Sequence, residues 1–129
     1  MADRPHLAEI FAAGDAIPAG VRIDDLVYLA RVDGREPGTG ALPDGVEDQL
    51  ARAFQNAGAL LEQAGATLDN VAHVTIFLRD LGDRGAINPP WLKTFPDASD
   101  RPTYKFMAAA LPSGVHAQLQ VLAVAGARR

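Results

Sequence analysis

Cysteine is absent from the 129 residues of this chain. That removes disulfides, thiol nucleophiles and thiolate metal sites, and it fits a cytoplasmic protein. Long hydrophobic runs are missing as well. No stretch approaches the ~20 apolar residues of a membrane-spanning helix, and Met1-Ala2-Asp3-Arg4-Pro5 carries no signal-like apolar segment. There is no basic excess: the formal net charge is −4, so neither nucleic acid nor a membrane surface is an expected partner. Fixed-period repeats and low-complexity tracts are also lacking. The glycine-rich segment from Gly34 to Gly40 holds neither a dinucleotide fingerprint nor a phosphate-loop lysine, and no Gly-x-Ser-x-Gly elbow occurs. His6, His73 and His116 are too scattered for metal-ligand spacing, so no metal site is expected.

What is present is ordinary for a globular chain. Apolar residues make up 48% and charged residues 22%, and the length suits one domain over residues 1–129 with a substantial core. Short strands are predicted over 6–12 and 21–23, and a stronger one over 26–32, where Leu26, Tyr28, Ala30 and Val32 alternate against Val27, Leu29 and Arg31. Arg31 on so apolar a strand reads as a snorkelling edge residue. Four glycines and two prolines make 34–45 a loop. Asp44 resembles a helix N-cap with Glu47 completing a capping box. Val46, Leu50, Phe54, Ala57, Leu61 and Ala64 then form one helical stripe that ends at Gly65.

Residues 71–79 are a strand with two unlike faces. Ala72, Val74, Ile76 and Leu78 are apolar, whereas His73, Thr75, Phe77 and Arg79 form a mixed face. The last strand, 115–125, repeats the pattern with His116, Gln118, Gln120 and Leu122 on its mixed side. Such faces suggest burial against other subunits, hence an oligomer. A second, shorter helix is expected within 84–95, with Pro89 and Pro90 in its first turn and Asn88 at or near its N-cap. The order β-β-β-α-β-α-β-β indicates an α+β two-layer sandwich, a mixed sheet of about six strands with two helices on one face.

Arg101 precedes Pro102, which biases it toward extended backbone at a strand entrance. Its guanidinium offers a rigid fork of donors that matches a carboxylate. A surface ion pair with Asp97 or Asp100 and a carboxylate-binding role stand as equal readings. Asn88 alone reads as a helix-end residue and Gln118 as an interface amide. Trp91, at helical spacing with Ile87 and Phe95, reads as core or interface ahead of a substrate platform.

The ordered set Gln49, Asn56, Ala64-Gly65-Ala66, Leu68-Asp69-Asn70-Val71, Val74-Thr75-Ile76-Phe77-Leu78, Asp80, Ile87-Asn88, Arg101, Leu111-Pro112 and Gln118 to Val124 resembles the RidA/YjgF family of enamine and imine deaminases. The similarity runs from about residue 20 to 125. It implies a homotrimer whose sheets form a central barrel-like assembly, with clefts between subunits and no metal or organic cofactor. By that resemblance Arg101 binds the carboxylate of a small ligand, Asn88 lies close to the site, and water attacks an imine carbon to release ammonia and a 2-oxo acid.

This chain departs from the family pattern at several points. The usual water-associated glutamate is Gln118, which can orient water but cannot accept a proton as a base. Ala30-Arg31-Val32 replaces a Ser-Gly-Gln, Ile17 stands where a tyrosine is common, and Thr103 takes the place of a small residue or cysteine. The implied substrate-binding set is therefore Arg101, Thr103, Arg31, Ala30, Ile17 and Trp91, with Gln118 and Asn88 as the catalytic pair. Three readings follow: imine or enamine deamination, with Arg31 assisting a second anionic group; another step such as tautomerisation or dehydration; and non-catalytic carboxylate binding.

Overall fold

The computed structural model describes residues 7–12 and 17–126. His6, and with it the start of the first expected strand, lies outside the described residues. In chain order the elements are β1 (Leu7–Ile10), β2 (Gly20–Ile23), β3 (Leu26–Val32), α1 (Val46–Gln63), β4 (Val71–Leu78), α2 (Asn88–Thr94), β5 (Thr103–Ala108) and β6 (Ala117–Val124). They form one mixed six-stranded sheet in the order β1-β2-β3-β6-β4-β5. Every pairing is antiparallel except β4 with β5. The expected α+β order is therefore the observed one.

Helix α1 forms because its apolar residues recur on one side. Gln49, Leu50, Ala53, Phe54, Ala57, Leu60 and Leu61 are all buried, against Val27 and Leu29 of β3, Val74, Ile76 and Leu78 of β4, and Ala117, Leu119 and Val121 of β6. Gly65, at φ +74°, lets the chain leave the helix in the left-handed region. The start differs from expectation. Gly45 is the N-cap and no side chain caps it, so Asp44 sits one residue too early for the capping box. Glu47 and Asp48 still place negative charge in the first turn, where the helix dipole favours it.

The second expected helix is split. Leu81–Ile87 is a 3-10 segment whose first turn is capped by the Asp80 carboxylate on the Gly82 N–H at 2.8 Å. Only Asn88–Thr94 is α-helical, with Ile87 as its N-cap and the two prolines in its first turn, where their missing N–H groups break no intrahelical bond. Phe54 meets Trp91 and Phe95 edge to face between α1 and α2, Trp91 and Phe95 pack tilted against each other, and Tyr104 of β5 closes on Trp91 with ring centres 4.7 Å apart.

Two bulges correct the simple alternation. In β4 the register shifts between Val71 and His73, so Val71 joins the core while Ala72 is exposed. In β3 the register with β6 shifts between Leu29 and Val32, which pair with Val121 and Leu119. Two residues, Ala30 and Arg31, therefore stand opposite the single Gln120. That returns Val32 to the core and turns Arg31 out, where strict alternation had set it beside Val27 and Leu29. β3 is interior to the sheet, so Arg31 is not an edge residue.

Buried Gln49 ties the assembly of loops to α1. Its Nε2 donates to the Pro43 and Gly114 carbonyls at 2.8 and 2.9 Å, and its Oε1 accepts from the His116 N–H at 2.8 Å. Gly34 passes so close to this turn that a Cβ there would lie 2.6 Å from the Gln49 carbonyl oxygen. Arg79 adds a second tie, from the end of β4 to the carbonyls of Leu111, Pro112 and Val115.

Candidate functional site

Both helices lie on one face of the sheet. The register places Tyr28, Gln118, Gln120, Leu122, His73, Thr75, Phe77, Thr103, Lys105 and Met107 on the other. Most of these are half-buried within one chain, while Met107 is 45% exposed. Gln118 pairs across the ladder with Phe77, Gln120 with Thr75, Leu122 with His73, and His73 in turn with Thr103. The Gln120 side-chain amide hydrogen-bonds the Tyr28 hydroxyl in a close contact. The Gln118 side chain, half-buried, makes no hydrogen bond among the described residues.

Arg101 lies two residues before the head of β5. It is half-buried, and its Nε donates to the Phe95 carbonyl at 2.7 Å while Nη2 donates to Pro96 at 3.3 Å. The bends after α2 thus hold the guanidinium, and Nη1 is not spent on that anchorage. Asp97 lies in the same turn. Its carboxyl sits below the usual aspartate range because the Ser99 hydroxyl and N–H both donate to it, with the Arg101 charge a smaller contribution.

Thr103 is part of a hydrogen-bonded row. His73 Nδ1 lies 2.7 Å from Thr103 Oγ1, and Thr75 Oγ1 lies 3.2 Å from His73 Nε2. The sequence excludes His73 from a metal site by spacing and assigns it no part in ligand binding. The available signal was its place two residues before Thr75 on the mixed face.

The remaining expected residues are dispersed. Ile17 is 62% exposed; Ala30, Arg31 and Asn88 are also exposed. Trp91 is buried in the aromatic cluster, as core, and its ring meets Tyr104 of β5. Gln118 and Thr103 share a face but stand two strands apart and four register positions along. At ordinary strand spacings that is roughly 16 Å between Cα atoms. One chain therefore does not bring Arg101, Thr103 and Gln118 into contact. A groove of about 300 Å³ between α1 and α2, lined by Phe54, Leu68, Pro90 and Lys93 among others, lies on the helix side and contains none of the expected site residues. No cluster of metal-ligating side chains occurs among the described residues, and no described helix is long and apolar enough to cross a membrane.

A mixed sheet with both helices on one face, and an amide-bearing second face beside an anchored arginine, defines a small α+β protein of the RidA type. The sequence pattern of the family described as Endoribonuclease L-PSP matches residues 9–125, and the chain belongs to this family, the RidA/YjgF proteins. A mouse protein named 2-iminobutanoate/2-iminopropanoate deaminase is 33% identical over 107 residues, covering 82% of this chain and 78% of its own. The crystal structure of E. coli TdcF with bound serine superposes with a TM-score of 0.80 at 27% identity, covering 91% of this chain and 98% of that one. RidA from an Antarctic Psychrobacter superposes with a TM-score of 0.78 at 25% identity, over 90% and 94% of the two chains.

Proposed function

We propose that this protein hydrolyses small 2-imino acids, or the enamines in equilibrium with them, to 2-oxo acids and ammonia. The observation that carries the reading is Arg101, held just ahead of β5 by two backbone carbonyls through its Nε and Nη2, with Nη1 outside that anchorage. Such a guanidinium grips a carboxylate with charge-assisted hydrogen bonds and little further ordering. The mouse relative's name and the serine bound to TdcF, an amino acid with its own carboxylate, support that class of ligand.

The chemistry asks little of the protein. A protonated imine is already electrophilic at carbon. Water adds to it, a proton passes from oxygen to nitrogen, and the carbinolamine expels ammonia to leave the 2-oxo acid. Fixing the imine and orienting water supply proximity, and Gln118 can hold the water through its amide without removing its proton. The ~16 Å between Thr103 and Gln118 within one chain supports an assembly in which neighbouring copies complete the cleft. We take this to be a homotrimer built through the mixed sheet face. Arg31, turned out by the β3 bulge, then adds a second cation for substrates with a second carboxylate. The nuclease description of the family finds no support in a chain of net charge −4.

The test is ammonia and 2-oxo acid release from enzymatically generated 2-iminopropanoate and 2-iminobutanoate. Saturable acceleration over spontaneous hydrolysis is expected. Folded protein that binds 2-oxobutanoate yet gives no acceleration overturns deamination in favour of carboxylate binding or another step.

A further inference from the structure

The row Thr75–His73–Thr103 runs across the mixed face from β4 to β5, ending two residues from Arg101. Its direction can be worked out from burial. Thr75 is only 5% exposed, and among the described residues His73 Nε2 is the one hydrogen-bond partner of its hydroxyl. A buried hydroxyl that accepted from Nε2–H would leave its own proton unpaired, which burial penalises. Thr75 therefore donates to Nε2. A neutral imidazole that accepts at Nε2 carries its proton on Nδ1. His73 thus donates to Thr103 Oγ1 across 2.7 Å, and the Thr103 hydroxyl proton must point elsewhere. Among the described residues its only acceptor is the Ala72 carbonyl at 3.4 Å, a long and weak contact.

We infer that His73 is a positioning residue: locked in its Nδ1–H form by buried Thr75, it turns the Thr103 hydroxyl into a hydrogen-bond donor for the carboxylate held by Arg101. The other tautomer would have Thr103 donate to His73 and present only lone pairs to an anion, which repels it. The inference rests on the site proposed above, and it assigns the neighbouring β4 strand a part in ligand binding.

The first measurement is independent of activity. In the full-length protein at pH 8.5, nitrogen-15 NMR of the imidazole rings is expected to give the Nδ1–H pattern for His73, and the Thr75→Val variant is expected to lose it. The second is calorimetric binding of 2-oxobutanoate. Thr103→Val is expected to weaken binding about tenfold, with Thr103→Ser close to wild type. Thr75→Val should weaken it several-fold alone and have no further effect in the Thr103→Val background, while kcat moves less than KM. An Nε2–H pattern for His73 overturns the inference. So does unchanged affinity in Thr103→Val when Arg101→Ala abolishes binding, and that outcome leaves the site itself standing. If wild type binds no 2-oxobutanoate, the site reading fails and the inference with it, whatever the tautomer.

Discussion

The guanidinium of Arg101 is moored to the end of α2 through a 2.7 Å hydrogen bond from Nε to the Phe95 carbonyl. Phe95 itself is fixed by its packing against Trp91 and Phe54. A helix end in the aromatic core thus sets where a cation stands at the head of an edge strand. Arg101→Lys keeps the charge but cannot span the Phe95 carbonyl and a ligand at once. Carboxylate affinity is expected to fall about tenfold in Arg101→Lys and roughly 10- to 100-fold in Arg101→Ala, in line with charge-assisted hydrogen bonds of about 1.5–3 kcal/mol. Calorimetry with 2-oxobutanoate checks this, and equal affinity in all three proteins would remove the arginine from the site.

Gln118 carries an amide, which can orient water but cannot accept its proton as a base. Gln118→Glu is nearly isosteric and is expected to raise the deamination rate by about 10²-fold or more, the usual worth of a positioned general base. The gain should disappear as pH falls through the new carboxylate's titration. Steady-state ammonia release across pH decides it; a flat or lowered rate would mean water is not activated at this position.

Buried Gln49 joins α1 to two loops with three hydrogen bonds. Gln49→Ala leaves the Pro43 and Gly114 carbonyls and the His116 N–H without it, and about 2–4 kcal/mol of stability is expected to go. Gln49→Glu is nearly the same size, but it turns a carboxylate oxygen toward two carbonyls and should destabilise at least as much. Urea unfolding measures both. A glutamate variant as stable as wild type would show the amide's donors to be dispensable.

Asp97 has a folded-state pKa below its ordinary 3.8, first because of the Ser99 hydroxyl and N–H and then because of Arg101. The sign follows from the direction. A carboxyl depressed on folding stabilises the folded state above its unfolded pKa, and that contribution is lost as pH falls through the lowered value. NMR titration should find the Asp97 midpoint below 3.8, and Ser99→Ala should move it upward. An unmoved midpoint in that variant would refute the assignment of cause.

Assembly is the remaining prediction. Sedimentation equilibrium is expected to give three times the 13.6 kDa chain mass. A charge placed on the mixed face at the end far from Arg101, as in Phe77→Glu, should dissociate the complex. A monomeric wild type at micromolar concentration would remove the shared cleft.

Much of this protein could be read from residue order alone. The stripe from Leu50 to Leu61 dictated α1 because only a 3.6-residue period gathers those side chains on one side. The prolines at 89 and 90 dictated where α2 begins, since neither can donate inside a helix. Alternation in β4 and β6 dictated two unlike sheet faces, and family resemblance pointed to Arg101. The sequence could not place the bulges at Leu29–Val32 and Val71–His73, because an extra residue in a ladder is set by the partner strand, not by the strand's own pattern. Those bulges decided that Arg31 leaves the core face and that Val71, not Ala72, enters it. Likewise only the parallel pairing of β4 with β5 brought His73 against Thr103, thirty positions apart. A hydrogen bond between side chains so distant in sequence exists only after strand order and register are chosen, and that choice belongs to the packed sheet as a whole.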